Sequence, residues 1–489
     1  MGLLGMLLGL ALMMWLAYRG WSVLIAAPAA ALLAAAISGE PLLAHWTQTF
    51  MSGTASFVLR WLPMFLLGGL FGKLMEDSRS ISSIARGLTE KLGTERTILA
   101  VVLASAVVTY GGVSVFVAFF VLVPMAQDMF RNANLPRRLM PATIGLGAFT
   151  FTMSAMPGTP SVNNAIPMPY FGTTAFAAPG LGIIASVIIM IIGMWWLRRA
   201  ERIAREKGEG YVPPADEGGA AAKKASIAED QTVRTQATAV GDFDTAELEH
   251  SKQADSEPSF LIALLPLIVV IVVNFMMSLV ILPRMDFAWL EDEMWGGTSI
   301  RAVGGVWSVV LALAAGSLTI VICNWKRLPN LRETLDAGAN AAALPLLTVS
   351  SLVGFGAVVG ALPAFATVRD SVLNIDGGPL ISLTVAMNAL AALTGTASGG
   401  MAIALNALGA NFMEMAAQYN INPELMHRIT TISAGTLDAL PHNGTVLILL
   451  KLCKLTHGES YMDMVVTVIV TCIIALVAVL ILGTMFGSF

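Results

Sequence analysis

Long apolar runs separated by short charged stretches occupy most of the chain. Runs near the ~20 residues that a helix needs to cross a bilayer lie at about 2–18, 21–38, 54–72, 181–197, 260–282, 300–323, 339–362 and 462–485. Four longer regions, at about 97–130, 139–166, 379–418 and 424–455, are apolar but interrupted by Gly, Pro, Ser and Thr. The pattern predicts an all-α polytopic membrane protein with about ten full spans. The first run lacks a basic leader and a small-residue cleavage site, so it reads as a retained span.

One stretch breaks the pattern. Residues 198–258 are charged and rich in Ala, Glu, Lys and Ser, without apolar periodicity. Such a segment cannot bury enough apolar surface to order itself, and it reads as a solvated linker. It opens with Arg198, Arg199, Arg202, Arg205 and Lys207, which the positive-inside rule assigns to the cytoplasm. Orientation then propagates along the chain. Arg19, Lys73, Arg79, Arg86 and Lys91 fall inside, and the acidic stretch Asp286 to Glu293 falls outside. If region 97–130 crossed once, Arg131, Arg137 and Arg138 would lie outside. A re-entrant hairpin turning at Tyr110-Gly111-Gly112 keeps them inside. The same logic makes 379–418 a hairpin entering from the other face, with its tip at Thr394 to Gly400. Region 424–455 then crosses to Lys451, Lys454 and His457 inside.

The two sides of the linker carry the same parts in opposite orientation: three spans, a hairpin, a broken span and a closing span. A shift of 284 residues places Phe71-Gly72 on Phe355-Gly356, Gly111 on Gly395, Ser114 on Ser398, Thr152 on Thr436 and Pro157 on Pro441. The chain thus divides into an inverted repeat at 1–197, the linker at 198–258 and a second repeat at 259–489. Paired interrupted helices in inverted repeats point to a midplane substrate site in secondary transporters.

The 12% content of charged residues, against roughly 25% in an average soluble domain, agrees with this partition. No basic face reads as a nucleic-acid footprint, so the expected partners are the lipid bilayer and a small solute. Cys323, Cys453 and Cys472 have no metal-ligand spacing and read as free thiols. Gly68-Gly69-Leu70-Phe71-Gly72-Lys73 lacks the spacing and the Ser/Thr of a phosphate-binding loop. Neither a metal triad nor a nucleophile elbow is visible, so the reading is of a transporter without a cofactor rather than an enzyme.

Candidate chemistry lies at the breaks and the tips. Proline removes a backbone donor and clashes with the preceding turn, so the helices are expected to unwind around Pro157, Pro160 and Pro441. Unwound backbone at membrane depth is tolerated where it is buried in protein or lines a cavity. Helix N-termini after a break suit an anion. The candidate substrate-binding residues are Gly111, Gly112 and Ser114 at the first tip, and Ser154, Gly158, Thr159, Ser161 and Asn163 at the first break. Thr394, Thr396 and Ser398 at the second tip and His442, Asn443 and Thr445 at the second break complete the set. An ionisable side chain inside a membrane segment is a functional candidate. Asp438 and His442, four residues apart, are therefore the candidate carriers of a coupling proton; as a bland alternative, Asp438 caps a helix or bonds His442. His427 is placed at the mouth of a span, Arg369 and Asp370 in an interfacial pair, and Asn388 between hairpin helices.

Phe71-Gly72-Lys73-Leu74-Met75-Glu76, Val113 to Pro124, the Pro-Gly-Thr-Pro break and Leu440-Pro441-His442-Asn443-Gly444 resemble the gluconate:proton symporter family within the ion-transporter superfamily. The resemblance covers nearly the whole chain apart from the linker. Asp438 to Gly444 looks more like the 3-hydroxybutyrate permease branch. The resemblance implies proton-driven uptake of a small hydroxy-carboxylate in a bacterial inner membrane, by a dimer whose hairpin-bearing part slides past a scaffold. Sodium coupling through Ser, Thr, Asn and carbonyl oxygens is the alternative mechanism, and a passive anion channel the alternative class.

Overall fold

The computed structural model describes residues 2–19, 21–213, 253–441 and 443–489. His442, His250 and most of the charged linker lie outside the described residues. Every regular element among the described residues is helical.

Two helices of moderate length come first, α1 (Gly2–Tyr18) and α2 (Val23–Ser38). They pack on each other and are followed by the long α3 (Leu42–Asp77). Then come α4 (Ser80–Leu92), α5 (Thr97–Tyr110), α6 (Val115–Asn132), α7 (Met140–Ala148) and α8 (Pro179–Glu206). After the linker follow α9 (Phe260–Arg284), α10 (Ile300–Cys323), α11 (Leu331–Ala361), α12 (Phe365–Leu373), α13 (Pro379–Thr394) and α14 (Ala397–Gln418). The chain closes with α15 (Pro423–Thr436), α16 (Gly444–Leu452) and α17 (His457–Phe486). Among the described residues, six helices are long and apolar enough to cross a membrane: α3, α8, α9, α10, α11 and α17. The protein is thus a polytopic, all-helical membrane protein.

All eight uninterrupted apolar runs form helices. The long helices α3 and α11 pack along each other through small residues. A Cβ on Gly69 would stand 2.4 Å from the Gly338 carbonyl oxygen, so no larger residue fits that crossing. Small residues at such seams allow the close backbone approach that gives helix packing its energy in lipid. The two hairpin regions are helix–turn–helix units: α5 and α6 joined at Gly111–Ser114, α13 and α14 joined at Gly395-Thr396.

The two interrupted spans differ from each other. The second forms two half-helices, α15 and α16, with the break at 437–443. The first does not continue as a half-helix after its break. Beyond α7 it fragments into four-residue turns, Phe151–Ser154, Val162–Ala165 and Met168–Phe171. Pro157, Pro160 and Pro167 explain the difference. Each removes a backbone donor, and together they leave no interval long enough for a stable helix.

Candidate functional site

A cavity of about 210 Å³ opens where the two hairpin tips approach the first break. Gly112, Val113, Ser114 and Val115 line it from the first tip, and Ser398 lines it from the second. Pro160, Ser161, Val162 and Asn163 come from the first break. The opposite wall is α3, from Met64 to Lys73, with Ala341, Ala342, Pro345 and Val349 of α11. Gly112 takes φ +95°, and a Cβ there would stand 2.7 Å from Pro160 Cγ. The first tip can therefore turn against the break only with glycine at this position.

Several polar groups face this space. Asn163 is 5% exposed, and its side chain makes no hydrogen bond among the described residues. Ser114 ends the turn at the start of α6 without using its side chain as a cap. Ser398 shares a 3.2 Å hydrogen bond with Thr396. The Ser161 hydroxyl donates to the Met153 carbonyl at 2.8 Å and accepts from the Asn164 N–H at 3.3 Å, holding the short turn that presents Asn163.

The break is held from behind by a fully buried guanidinium. Arg428, on α15, donates from Nε and Nη2 to the Ala177 carbonyl at 3.1 and 2.7 Å. Its Nη1 donates to the Ser154 carbonyl and to Asn164 Oδ1, at 3.3 and 3.2 Å. Asn164 Nδ2 in turn donates to the carbonyls of Thr159 and Ala175, both at 3.0 Å. His427 is fully buried as well, with Nδ1 2.6 Å from the Thr173 hydroxyl and Nε2 3.3 Å from Asn164 Oδ1. Tyr110 donates its hydroxyl to the Pro157 carbonyl at 2.8 Å, and Asn274 Nδ2 donates to the Gly158 carbonyl at 3.0 Å. Side chains from three other elements, together with Asn164 of the break itself, thus satisfy carbonyls that an unwound segment leaves unpaired.

The second break is tied to the second tip. Asp438 Oδ1 accepts from the Ala397 N–H at 2.8 Å and from Asn443 Nδ2 at 3.0 Å. Ala397 is the first residue of α14, so the carboxylate caps the hairpin's second helix. Asn443 Nδ2 also donates to the Gly395 carbonyl at 2.7 Å, while its Oδ1 caps α16 by accepting from the N–H groups of Thr445 and Val446.

Of the residues singled out by sequence, Gly112, Ser114, Ser161, Asn163 and Ser398 line the cavity. Gly111 lies beside them, packed under Leu267. Ser154, Gly158 and Thr159 spend their backbone groups inside the first break. Thr394 and Thr396 shape the second tip, where Thr394 donates to the Leu390 carbonyl at 2.8 Å. Asp438, Asn443 and Thr445 form the second break behind that tip and are not on the cavity wall. Arg369 pairs with Asp370 at 2.9 Å.

Three expectations are corrected. His427 is in the protein interior, not at a span mouth. Asn388 donates to the Thr384 carbonyl of its own helix, not across the hairpin. Lys73, counted as a cytoplasmic charge, is 3% exposed and lines the cavity. Arg428 is not among the sequence candidates, and Asn164 belongs to the first break without being singled out. The signal for Arg428 is a cation within an otherwise apolar segment; that for Asn164 is an amide inside the proline-broken span.

Apolar helices around a small, mostly apolar cavity with a few polar groups define a multi-pass membrane protein of the transporter type. Sequence comparison agrees. The chain is 38% identical over 471 residues to the uncharacterized transporter YxjC of Bacillus subtilis (strain 168), covering 95% of each, and it belongs to that transporter's family. It is also 28% identical over 154 residues, 31% of this chain and 36% of the relative, to an uncharacterized transporter of Haemophilus influenzae. No family model matches the chain. Among solved structures, MtrF of Neisseria gonorrhoeae, described as illuminating a class of antimetabolite efflux pumps, aligns with a TM-score of 0.54 at 15% identity. That alignment covers 91% of this chain and 85% of MtrF, and it shows a shared fold. The relatives are transporters, and the chain is not an enzyme.

Proposed function

We propose that the protein is a secondary active transporter that carries a small hydroxy-monocarboxylate, such as 3-hydroxybutyrate or gluconate, together with a proton. The observation that carries this reading is the convergence of both hairpin tips and the first break on one cavity. Ser114 and Ser398, equivalent under the 284-residue shift, both face it, and Asn163 faces it with unused donors and acceptor. Drug-sized sites run to roughly 300–1,000 Å³, so a 210 Å³ space suits a smaller solute. Hydroxyls and an amide offer donors to a carboxylate and acceptors to a substrate hydroxyl.

The inverted repeat finds support in the packing of α3 against α11, which correspond under the same shift. Charge clustering supports re-entrant hairpins. Arg137 and Arg138, at the base of the first hairpin, bond to Glu209, the Lys454 carbonyl and Asp463, all expected on the cytoplasmic side. In this reading the 198–258 segment is cytoplasmic and the protein a homodimer of the bacterial inner membrane. The hairpin-bearing part moves past α3 and α11. Protonation of Asp438 weakens its hold on Ala397 and loosens the second tip, which links the proton to access; His442 is the second candidate carrier.

The test is uptake of labelled 3-hydroxybutyrate and gluconate into proteoliposomes, with proton and sodium gradients imposed separately. Accumulation driven by protons alone is expected. Accumulation with sodium alone would move coupling to the Ser, Thr and Asn oxygens. Gradient-independent equilibration would favour a passive channel.

A further inference from the structure

Among the described residues, Lys73 is the charged residue on the cavity wall. Its Nζ lies 3.2 Å from Glu76 Oε2 and 3.2 Å from Asp77 Oδ1. Residues three and four positions on share its face of α3, so one helix builds the whole cluster. All three side chains are buried, with relative exposures of 2%, 5% and 0%. A helix that merely ended at the membrane surface would leave such charges in water. The 284-residue shift sets Ala357, Gly360 and Ala361 against Lys73, Glu76 and Asp77, so the second repeat has no counterpart.

The surroundings distinguish the two acids. Asp77 Oδ2 accepts from the Thr334 hydroxyl of α11 at 2.8 Å. Glu76 Oε1 has only a long 3.4 Å contact from Gln253 Nε2. The neighbouring cations of α4 and its cap are already engaged, since Arg79 and Arg86 both reach Glu257, at 3.5 and 2.8 Å. From α11, Arg332 and Asp336 are exposed and pair with each other. Glu76 is thus faced by Lys73, Asp77 and Gln253, and it is the acid held more loosely.

The geometry points to Lys73 as the cation that binds the substrate carboxylate, with Glu76 as the acid whose protonation frees it. The inference rests on the anionic substrate proposed above and puts the coupled proton on Glu76 in place of Asp438. With both acids ionised the cluster carries one net negative charge, and an incoming anion is repelled at short range in a medium of low dielectric. A proton taken up on Glu76 removes that repulsion and breaks one of the two ion pairs. The ammonium then turns to the anion, while Asn163 contributes its amide from the opposite wall. The cluster gains one proton and one monoanion together, so its net charge does not change. On release the carboxylate leaves and Glu76 returns its proton to water. No bond within the substrate forms or breaks.

The test uses the purified full-length protein and a panel of acetate, lactate, 3-hydroxybutyrate and gluconate. Binding is read at pH 6 and pH 8 by ligand-induced thermal stabilisation. Lys73→Gln is expected to weaken carboxylate binding about tenfold or more, the loss of one charge-assisted hydrogen bond, and Lys73→Arg less. Glu76→Gln, which mimics the protonated acid, is expected to bind at pH 8 as tightly as at pH 6. Because Lys73→Gln leaves Asp77 without its cation, Lys73→Gln/Asp77→Asn serves as the charge-balanced control for folding and should show the same loss. Unchanged affinity in both Lys73 variants, or an unaltered pH dependence in Glu76→Gln, would overturn the inference while leaving the transport reading intact. A wild-type protein stabilised by none of the carboxylates would overturn both.

Discussion

Arg428 shows how much a single side chain can determine at membrane depth. Its planar fork serves three carbonyls and Asn164, with no carboxylate in hydrogen-bonding contact among the described residues. Arg428→Met removes every one of those donors while keeping the bulk, and leaves the Ala177 carbonyl without the guanidinium. Hydrogen bonds to charged groups are worth about 1.5–3 kcal/mol each, so a destabilisation of about 3 kcal/mol or more is expected. Lysine presents a point charge instead of a fork and should recover only part of it. Thermal unfolding of the three proteins in detergent checks the order wild type, Lys, Met. At this scale the sequence was only partly legible. The serines and glycines of the tips were visible because polar and flexible residues stand out in apolar runs. Lys73 was misread because counting charges along a chain assigns a lysine near a helix end to water. Its ion partners Glu76 and Asp77 are local, but Thr334 and Gln253, which bond those two acids, come from distant segments that no local pattern brings together.

Elements were more legible than residues, because apolar length and proline position act locally. Both hairpins announce themselves by small residues between two apolar runs, and the second break follows from Pro441. The fragmentation of the first broken span was not anticipated, since the effect of three prolines depends on their combined spacing. Close packing of the second hairpin yields a prediction of its own. A Cβ on Gly400 would stand 2.4 Å from the Ala391 backbone nitrogen of the partner helix. Backbone cannot step aside as a side chain does, so Gly400→Ala must splay α13 from α14. Overpacking of this kind costs typically 1–3 kcal/mol, and here it also displaces Ala397 from Asp438. Gly360, in α11, has nothing within 4 Å of its ideal Cβ. Gly360→Ala should therefore leave uptake and stability near wild type, whereas Gly400→Ala loses uptake. Equal uptake by the two variants would mean that the tip does not have to be held tightly.

At the scale of the whole molecule, the charged linker separates the halves in sequence, but its described ends are docked onto them. Beyond α8, Tyr211 N–H donates to Asn134 Oδ1 at 2.9 Å, and the Val212 carbonyl accepts from Arg137 at 3.3 Å. Before α9, the Ala254 N–H donates to the Asp77 carbonyl at 2.8 Å, and the Pro258 carbonyl accepts from Ser83 at 2.8 Å. One end is thus fastened to the base of the first hairpin and the other to the end of α3, next to the Lys73 cluster. Sequence composition marked 198–258 as one uniform linker, because charge and alanine content do not reveal which residues find partners. Among the described residues both ends are docked, and positions 214–252 lie outside them. If only the ends matter for transport, replacing 214–252 with a Gly/Ser chain of equal length should preserve uptake, since such a chain is flexible and adds no new contacts. Substituting the docked ends has a different expected outcome. Ala254→Pro removes the N–H that meets Asp77 and should lower uptake by disturbing the end of α3. The comparison is made in proteoliposomes at matched reconstitution. Loss of uptake in the Gly/Ser chimera, with a monodisperse protein, would show that the central residues themselves take part in transport or its regulation.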